Sequence, residues 1–210
     1  MVKNSIILEI EKLLDNKKIL DYNILSDSFG INCMKIGTED KEQYIVKYYF
    51  KKAGSFNAIK SEADNLLFFN TRKFNFFPKV INNNNDFLIM SFLDNNNNLP
   101  NKTNVDLLDA IVLLHSKKSN NYGFNFDTQI GGLQQSNSNS KNWVEFYLEK
   151  RLHYIFDLIN KKQPMDKAIN TKIELLLKKI DNFIPNKPKP SLLHGDLWEG
   201  NILFKNKKFS

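Results

Sequence analysis

Side-chain periodicity changes character once along this chain, across "NNNNLPNKT", and that change limits the folds open to it. Before it, "MKIGTEDKEQYIVKYYF" alternates as two strands around a polar turn. "SFNAIKSEADNLLFFNTR" has helical spacing, and "FFPKVINNNNDFLIMSFLD" reads as a second hairpin closed by an asparagine run. Beyond the change the spacing turns helical. Val105, Leu108, Ile111, Val112 and His115 form one stripe. Residues 116–141 read as a long polar loop. Asn142 and Glu145 suit an N-terminal cap for "WVEFYLEKRLHYIFDLI", and "MDKAINTKIELLLKKIDNFI" is amphipathic. The pattern predicts an α+β, bilobal chain. Residues 1–94 form an antiparallel sheet lobe with a helix, and residues 95–210 form a mainly helical lobe.

At the N-terminus, Ile6, Ile10, Leu13 and Leu14 fall at helical spacing among acids, so "MVKNSIILEIEKLLDNKK" is an amphipathic helix and not a signal peptide. No segment has enough consecutive apolar residues to cross a membrane. With 41% of 210 residues hydrophobic, there is material for a packed core. Cys33 is the single cysteine, which excludes an intramolecular disulfide and suits a reducing, cytoplasmic setting. A small buried residue is its plainer reading, a redox role the other. The net charge of +7 comes from lysines interleaved with acids, a solvated pattern and not a nucleic-acid stripe. The asparagine runs at 82–85 and 95–98 read as loop filler.

Chemistry concentrates in "LLHGDLWEGNILF". Two apolar runs, expected to be buried strand ends, flank His194, Gly195, Asp196, Trp198 and Asn201. A bare Asp followed five residues later by Asn is far more readily a turn with a cap. His-Gly before it and apolar runs on both sides favour phosphoryl transfer, where an aspartate accepts a hydroxyl proton and an amide oxygen faces a metal. Trp198 could stack on a sugar or belong to a core.

Lys47 ends "YIVK", sharing a face with Ile45 and Tyr49. An ammonium in so apolar a strand is costly unless paired. Glu62, in a helical stripe with Ile59, Ala63 and Leu66, is its natural partner, and such a pair serves nucleotide phosphates. "FLIMSFLD" reads equally as a buried strand end or as the strand leading to a hinge where backbone groups of Met90, Ser91 and Phe92 meet an adenine edge. Gly30 and Gly37 make a poor phosphate loop. A plain hairpin turn is an equal reading there. His115 and His153 are read as structural. Together these features outline a protein-kinase-like fold.

"PSLLHGDLWEGN" resembles the fructosamine kinase (ketosamine-3-kinase) family, within the aminoglycoside phosphotransferase and choline kinase superfamily. "YGFNFDTQIGGLQQSNSNSKNWVEFYLEKRL" is similar to that family's pattern before its helix, and "YIVKYY", "SEADNLLFF" and "LLHS" fall in the family's order. The resemblance implies ATP- and Mg2+-dependent phosphorylation of a sugar hydroxyl on a small ketosamine or glycated protein amine, in repair of glycated amines. It implies Asp196 as proton acceptor, Asn201 as magnesium ligand, Lys47 on the phosphates with Glu62, Met90 to Phe92 as hinge, and Trp198 beside the sugar. Ser28-Phe29 stands where the family has paired glycines. The family's further metal aspartate would follow "NILF", beyond "KNKK" and the start of a return strand, so a C-terminally truncated chain is expected. Its alternatives are a small-molecule kinase of the aminoglycoside or choline type and a non-catalytic remnant.

Overall fold

Apolar spacing at the N-terminus does produce a helix. In the computed structural model, which describes residues 2–52, 54, 56–96, 98–100 and 104–209, α1 spans Asn4–Leu13 and buries Ile10 completely. Its partner is an antiparallel sheet built from β1 (Ile19–Ser28), β2 (Ile31–Thr38), β3 (Gln43–Tyr49), β4 (Val80–Asn83) and β5 (Phe87–Ser91), in the order β1-β2-β3-β5-β4. Helix α2 (Ala58–Thr71) connects β3 to β4. Asn57 caps it by accepting the Lys60 N–H at 3.0 Å. The chain divides into two compact units, one of Met1–Asp106, Gln129–Gln134 and Leu197–Ser210, the other of Leu107–Thr128 and Gln135–Asp196.

Alternation gives the sheet two apolar faces. Met34, Ile36, Tyr44, Val46, Tyr48, Phe87 and Ile89 pack with Ile10 and Leu14 on one. On the other, Leu88 and Met90, with Ile45, meet Ile59, Ala63 and Leu66 of α2. Each fully buried Ile or Leu contributes about 2 kcal/mol before entropy is charged against it. Glu11 ties α1 to the sheet. It accepts the Ile19 N–H at 3.0 Å and the Lys18 ammonium at 2.8 Å, and Lys18 and the Ile19 amide hold its carboxyl below the usual range.

Strand β1 is absent from the reading of the sequence. Every residue after Ile19 is exposed, and its register breaks between Ile19 and Asp21 and between Ile24 and Ser26, so no one-sided apolar pattern marks it. The asparagine runs are a correction of another kind, since they are not filler. Asn84 Oδ1 accepts the Asp86 and Phe87 N–H groups, both at 2.9 Å, closing the β4–β5 hairpin. Asn82 donates to the Leu13 carbonyl at 2.8 Å. In the second run, Asn96 donates its N–H to the Phe204 carbonyl and accepts the Asn206 N–H through its side chain, each at 3.1 Å. These contacts, with a Lys205–Asp94 ion pair, seat the hairpin of β8 (Phe204–Lys205) and β9 (Lys208–Phe209). Its turn residues Asn206 and Lys207 have φ of 50° and 67°, the tight-turn geometry expected of "KNKK". Asn97, residues 101–103 of the linker and Ser210 lie outside the described residues.

The second unit is mainly helical. It holds most of α3 (Val105–His115), then α4 (Trp143–Tyr147), a π-helical stretch (Leu148–His153), α5 (Tyr154–Lys162) and α6 (Lys167–Leu177). Asn142 caps α4 through the Glu145 N–H at 3.2 Å, as its spacing implies. The stripe read on α3 is a correction: Val105 and Val112 are 65% and 66% exposed, while Ala110 and Leu114, one turn apart, are buried. Spacing identifies a face, but neighbours decide which face packs. The supposed loop at 116–141 contains a short hairpin, β6 (Thr128–Ile130) and β7 (Leu133–Gln135), turning through Gly131 and Gly132 at φ 52° and 77°, and its residues Gln129–Gln134 belong to the first unit. Among the described residues no helix is long and apolar enough to cross a membrane.

Candidate active site

In the sheet unit, Lys47 and Glu62 meet. The ammonium donates to both carboxylate oxygens, at 2.6 and 2.9 Å, and both side chains are about a quarter exposed. Register puts Lys47 on the face that α2 covers, and the turn containing Ile59 and Ala63 brings Glu62 over it. Burial alone lowers the lysine pKa, but the charge and hydrogen bonds of Glu62 outweigh it, so the net shift is upward. A paired, half-buried ammonium can bind phosphate oxygens without first losing a full hydration shell. Cys33 lies directly across the ladder from Lys47. Burial pushes its thiol up, with Lys47 pulling the other way, and a thiol so held suits packing better than thiolate chemistry.

The β1–β2 connection, at the position of a glycine-rich loop, is a two-residue turn. Phe29 and Gly30 both have positive φ, 52° and 78°, between the paired residues Ser28 and Ile31. A Cβ on Gly30 would lie 1.9 Å from the Lys51 carbonyl oxygen, so only glycine fits. The Gly30 carbonyl accepts the Phe50 and Lys51 N–H groups at 3.0 and 3.1 Å, which pins the turn to the end of β3.

At the hinge the backbone donors are already assigned. Met90 sits in the ladder between Ile45 and Val80. The Ser91 N–H donates to the Lys79 carbonyl at 2.8 Å and the Phe92 N–H to the Gln43 carbonyl at 3.4 Å. The next donor, the Leu93 N–H, has no partner among the described residues. Register reveals this; residue types do not.

Residues 188–196 belong to the helical unit, and their approach to Asp196 is stapled to residues 115–122. Tyr122 donates to the Pro188 carbonyl at 2.5 Å, the Leu192 N–H to the Lys117 carbonyl at 2.8 Å, and the Lys118 ammonium to Ser191 Oγ at 2.7 Å. Leu192 and Leu193 are therefore not a strand, and Leu193 is 55% exposed, which corrects the expected buried strand end. Gly195 turns the chain at φ 88°, and the Asp196 N–H donates to His194 Nδ1 at 3.3 Å. That bond requires an unprotonated Nδ1. Burial lowers the His194 pKa in the same sense, against an upward pull from Asp196.

Leu197 onward belongs to the sheet unit. Asn201 is exposed at the end of a 3-10 turn, Glu199–Asn201, and donates its N–H to the Trp198 carbonyl at 2.9 Å. Trp198 is 57% exposed, so it is no core residue in the described chain. Asn201 presents an amide oxygen, a hard donor of the kind magnesium accepts alongside phosphates and water.

Asn137 and Arg151 went unnoticed in the sequence. Asn137 is 4% exposed, accepts Arg151 Nη2 at 2.5 Å and donates to Phe126 O at 3.1 Å and Thr128 Oγ1 at 2.9 Å. Its N–H donates to Asp127 at 2.9 Å. Arg151 reaches Ser136 O at 2.9 Å from the π-helical stretch. The signal for such a cluster is a polar residue that only burial distinguishes from its many surface neighbours.

The sequence model of the fructosamine kinase family matches residues 8–209. An Arabidopsis thaliana protein-ribulosamine 3-kinase is 37% identical over 119 residues, which cover 56% of this chain and 36% of that relative. A Mus musculus ketosamine-3-kinase is 42% identical over 81 residues, covering 39% of this chain and 26% of the relative. The chain thus spans about a third or less of these relatives' length in the matched stretches. A solved structure from Thermobifida fusca, provisionally named a fructosamine-3-kinase, superposes with a TM-score of 0.82 at 21% identity, covering 99% of this chain and 72% of that one. Aminoglycoside phosphotransferase APH(4)-Ia gives 0.64 at 14% identity, covering 98% and 69%. The fold is α+β and kinase-like, with an antiparallel sheet part and helices.

Proposed function

The chain belongs to the fructosamine kinase family, and on that premise we propose a kinase that uses ATP to phosphorylate a sugar hydroxyl, the 3-hydroxyl, of a small ketosamine or a glycated protein amine. The observation that carries this reading is the Lys47–Glu62 pair at 2.6 Å on a strand and the following helix. The named activities of the relatives point to the substrate class. Such a phosphorylation would begin the reversal of glycation, and a reducing cytoplasm suits the lone thiol of Cys33.

Lys47 binds phosphate oxygens and Glu62 holds it in place. The base edge lies against the hinge of Met90, Ser91 and Phe92, with the Leu93 N–H as donor. Asp196 accepts the proton of the sugar hydroxyl as that oxygen bonds to the γ-phosphorus and the bond to the ADP oxygen breaks. Trp198 borders the sugar. Asn201 would supply one oxygen to a magnesium ion, which when bound neutralises phosphate charge. Positioning and electrostatics carry most of such a reaction, so these few groups are what it needs.

Incubation with ATP, magnesium and a small fructosamine tests the reading. ADP release that depends on the fructosamine, with phosphate on the sugar by NMR and neither in Lys47→Met, is the expected result. Turnover with choline or an aminoglycoside and none with a fructosamine would move the protein to another branch of the fold. Absence of turnover with every acceptor would leave nucleotide binding alone.

A further inference from the structure

Three residues form a row across the sheet: Lys35 on β2 pairs with Ile45 on β3, which pairs with Met90 on β5. The neighbouring row on the same face is Cys33, Lys47 and Leu88. The two rows are two residues apart along each strand, roughly 7 Å. A nucleotide with its phosphates on Lys47 and its base edge at the hinge must lay the base along the Lys35 row.

Lys35 is unusual there. Its ammonium lies 3.8 Å from the centroid of the Phe92 ring, so the side chain reaches past Ile45 to the segment after β5. It has no carboxylate partner among the described residues. Its half-buried stem and aromatic seat hold a cation where an aliphatic residue would give a base only dispersion contact.

Resting on the nucleotide reading above, we infer that Lys35 faces the nucleobase and biases the site toward guanine nucleotides relative to what an aliphatic residue there would allow. An ammonium has three donors and no acceptor. Guanine presents two adjacent acceptors, O6 and N7, whereas adenine sets an amino donor beside its N7. Both purines offer a π face to the cation, but guanine, with O6 beside N7, sets the more negative potential near it. Lys35 is thus a specificity residue acting beside the phosphate site.

Displacement of a fluorescent trinitrophenyl-ATP from the full chain, by ATP and by GTP, tests this in the wild type and in Lys35→Met, Lys35→Arg and Lys47→Met, with melting curves to confirm folding. Lys35→Met should lose GTP affinity about fivefold more than ATP affinity. Lys35→Arg should keep the wild-type ratio within about twofold, since it keeps the cation. An unchanged ATP-to-GTP ratio in Lys35→Met, or no measurable GTP affinity in a wild type that binds ATP, overturns the inference while sparing the nucleotide reading. A wild type that binds neither nucleotide, indistinguishable from Lys47→Met, overturns both.

Discussion

The indole of Trp198 lies over the α-carbon of Gly200: a Cβ built there would sit 2.3 Å from the far edge of the ring. The glycine in "WEGN" is therefore a seat for the ring. Gly200→Ala should push the indole off this seat at little cost in stability, because the far end of an exposed side chain can move. Trp198 is one of two tryptophans, so the shift is readable as a changed emission spectrum against a Trp198→Phe control. If Trp198 borders the sugar, KM for the ketosamine should rise several-fold while ATP affinity holds. An unchanged spectrum would show that the ring is not seated as described.

The Lys47–Glu62 pair predicts separable effects on binding and stability. Lys47→Met should remove nearly all ATP affinity in a displacement assay. Glu62→Gln leaves the lysine half-buried with a neutral partner and should lower stability by about 1–2 kcal/mol, a figure discounted for the pair's partial exposure. The sign with pH follows from the raised lysine pKa. The stability it supplies is complete below the unfolded lysine value, about 10.4, and is lost only as pH climbs through the higher folded value. Denaturant midpoints of wild type and Glu62→Gln should differ by a constant amount from pH 7 to 9.

That pair was legible because both residues sit on apolar stripes, where an unpaired charge is costly. The hinge donors were not legible. Ser91 and Phe92 look free in "FLIMSFLD", and only the approach of the Lys79 and Gln43 carbonyls shows their N–H groups engaged. The helix cap at Asn142 and the turn in "KNKK" follow from local chemistry, which sequence carries well. Strand β1 and the Leu192–Leu193 segment show the converse. One is a strand with solvent on both faces, the other an apolar pair held by the Leu192 N–H on the Lys117 carbonyl, beside Ser191 on Lys118, and hydrophobic pattern misleads in both.

His194 gives a pH dependence of opposite sense to the lysine. Its folded pKa is depressed, chiefly by burial, so the neutral ring is the folded form. The stability it contributes is present above the unfolded value of about 6.5 and declines as pH falls below it toward the folded value. Protonation at Nδ1 would also break its bond from the Asp196 N–H. Unfolding measured between pH 7.5 and 5 should therefore show a steeper loss in wild type than in His194→Asn. Parallel curves would mean the ring is not buried as described.

Asn137 offers a stability test in the helical unit. Its side chain joins Arg151, Phe126 and Thr128, and Asn137→Ala would remove the acceptor of Arg151 Nη2 and the donor to the Phe126 carbonyl and Thr128 Oγ1, while Arg151 keeps its bond to the Ser136 carbonyl. The expected cost is about 2–4 kcal/mol, read from denaturant unfolding. Arg151→Met should recover part of that loss in the double variant, since it removes the charge that Asn137 satisfies. Additive effects would show that the two residues do not share one network.

Asp196 carries the sharpest mechanistic expectation. Its backbone is fixed by the Gly195 turn and by the bond to His194, so Asp196→Asn changes the side chain's basicity with little change of shape. An amide can still accept a hydrogen bond from the sugar hydroxyl but cannot take its proton. A positioned base is worth roughly 10²–10⁴ in rate, so kcat should fall by that factor. The nucleotide is assigned to Lys47 and the hinge, so the affinity for ATP should stay within about twofold of wild type. The two readouts are independent: steady-state turnover with a fructosamine gives the first, and displacement of bound nucleotide gives the second. Turnover near the wild-type rate would remove Asp196 from the role of base. A large loss of ATP affinity would place it instead among the groups that hold the nucleotide, and the proton acceptor would have to be sought elsewhere in the chain.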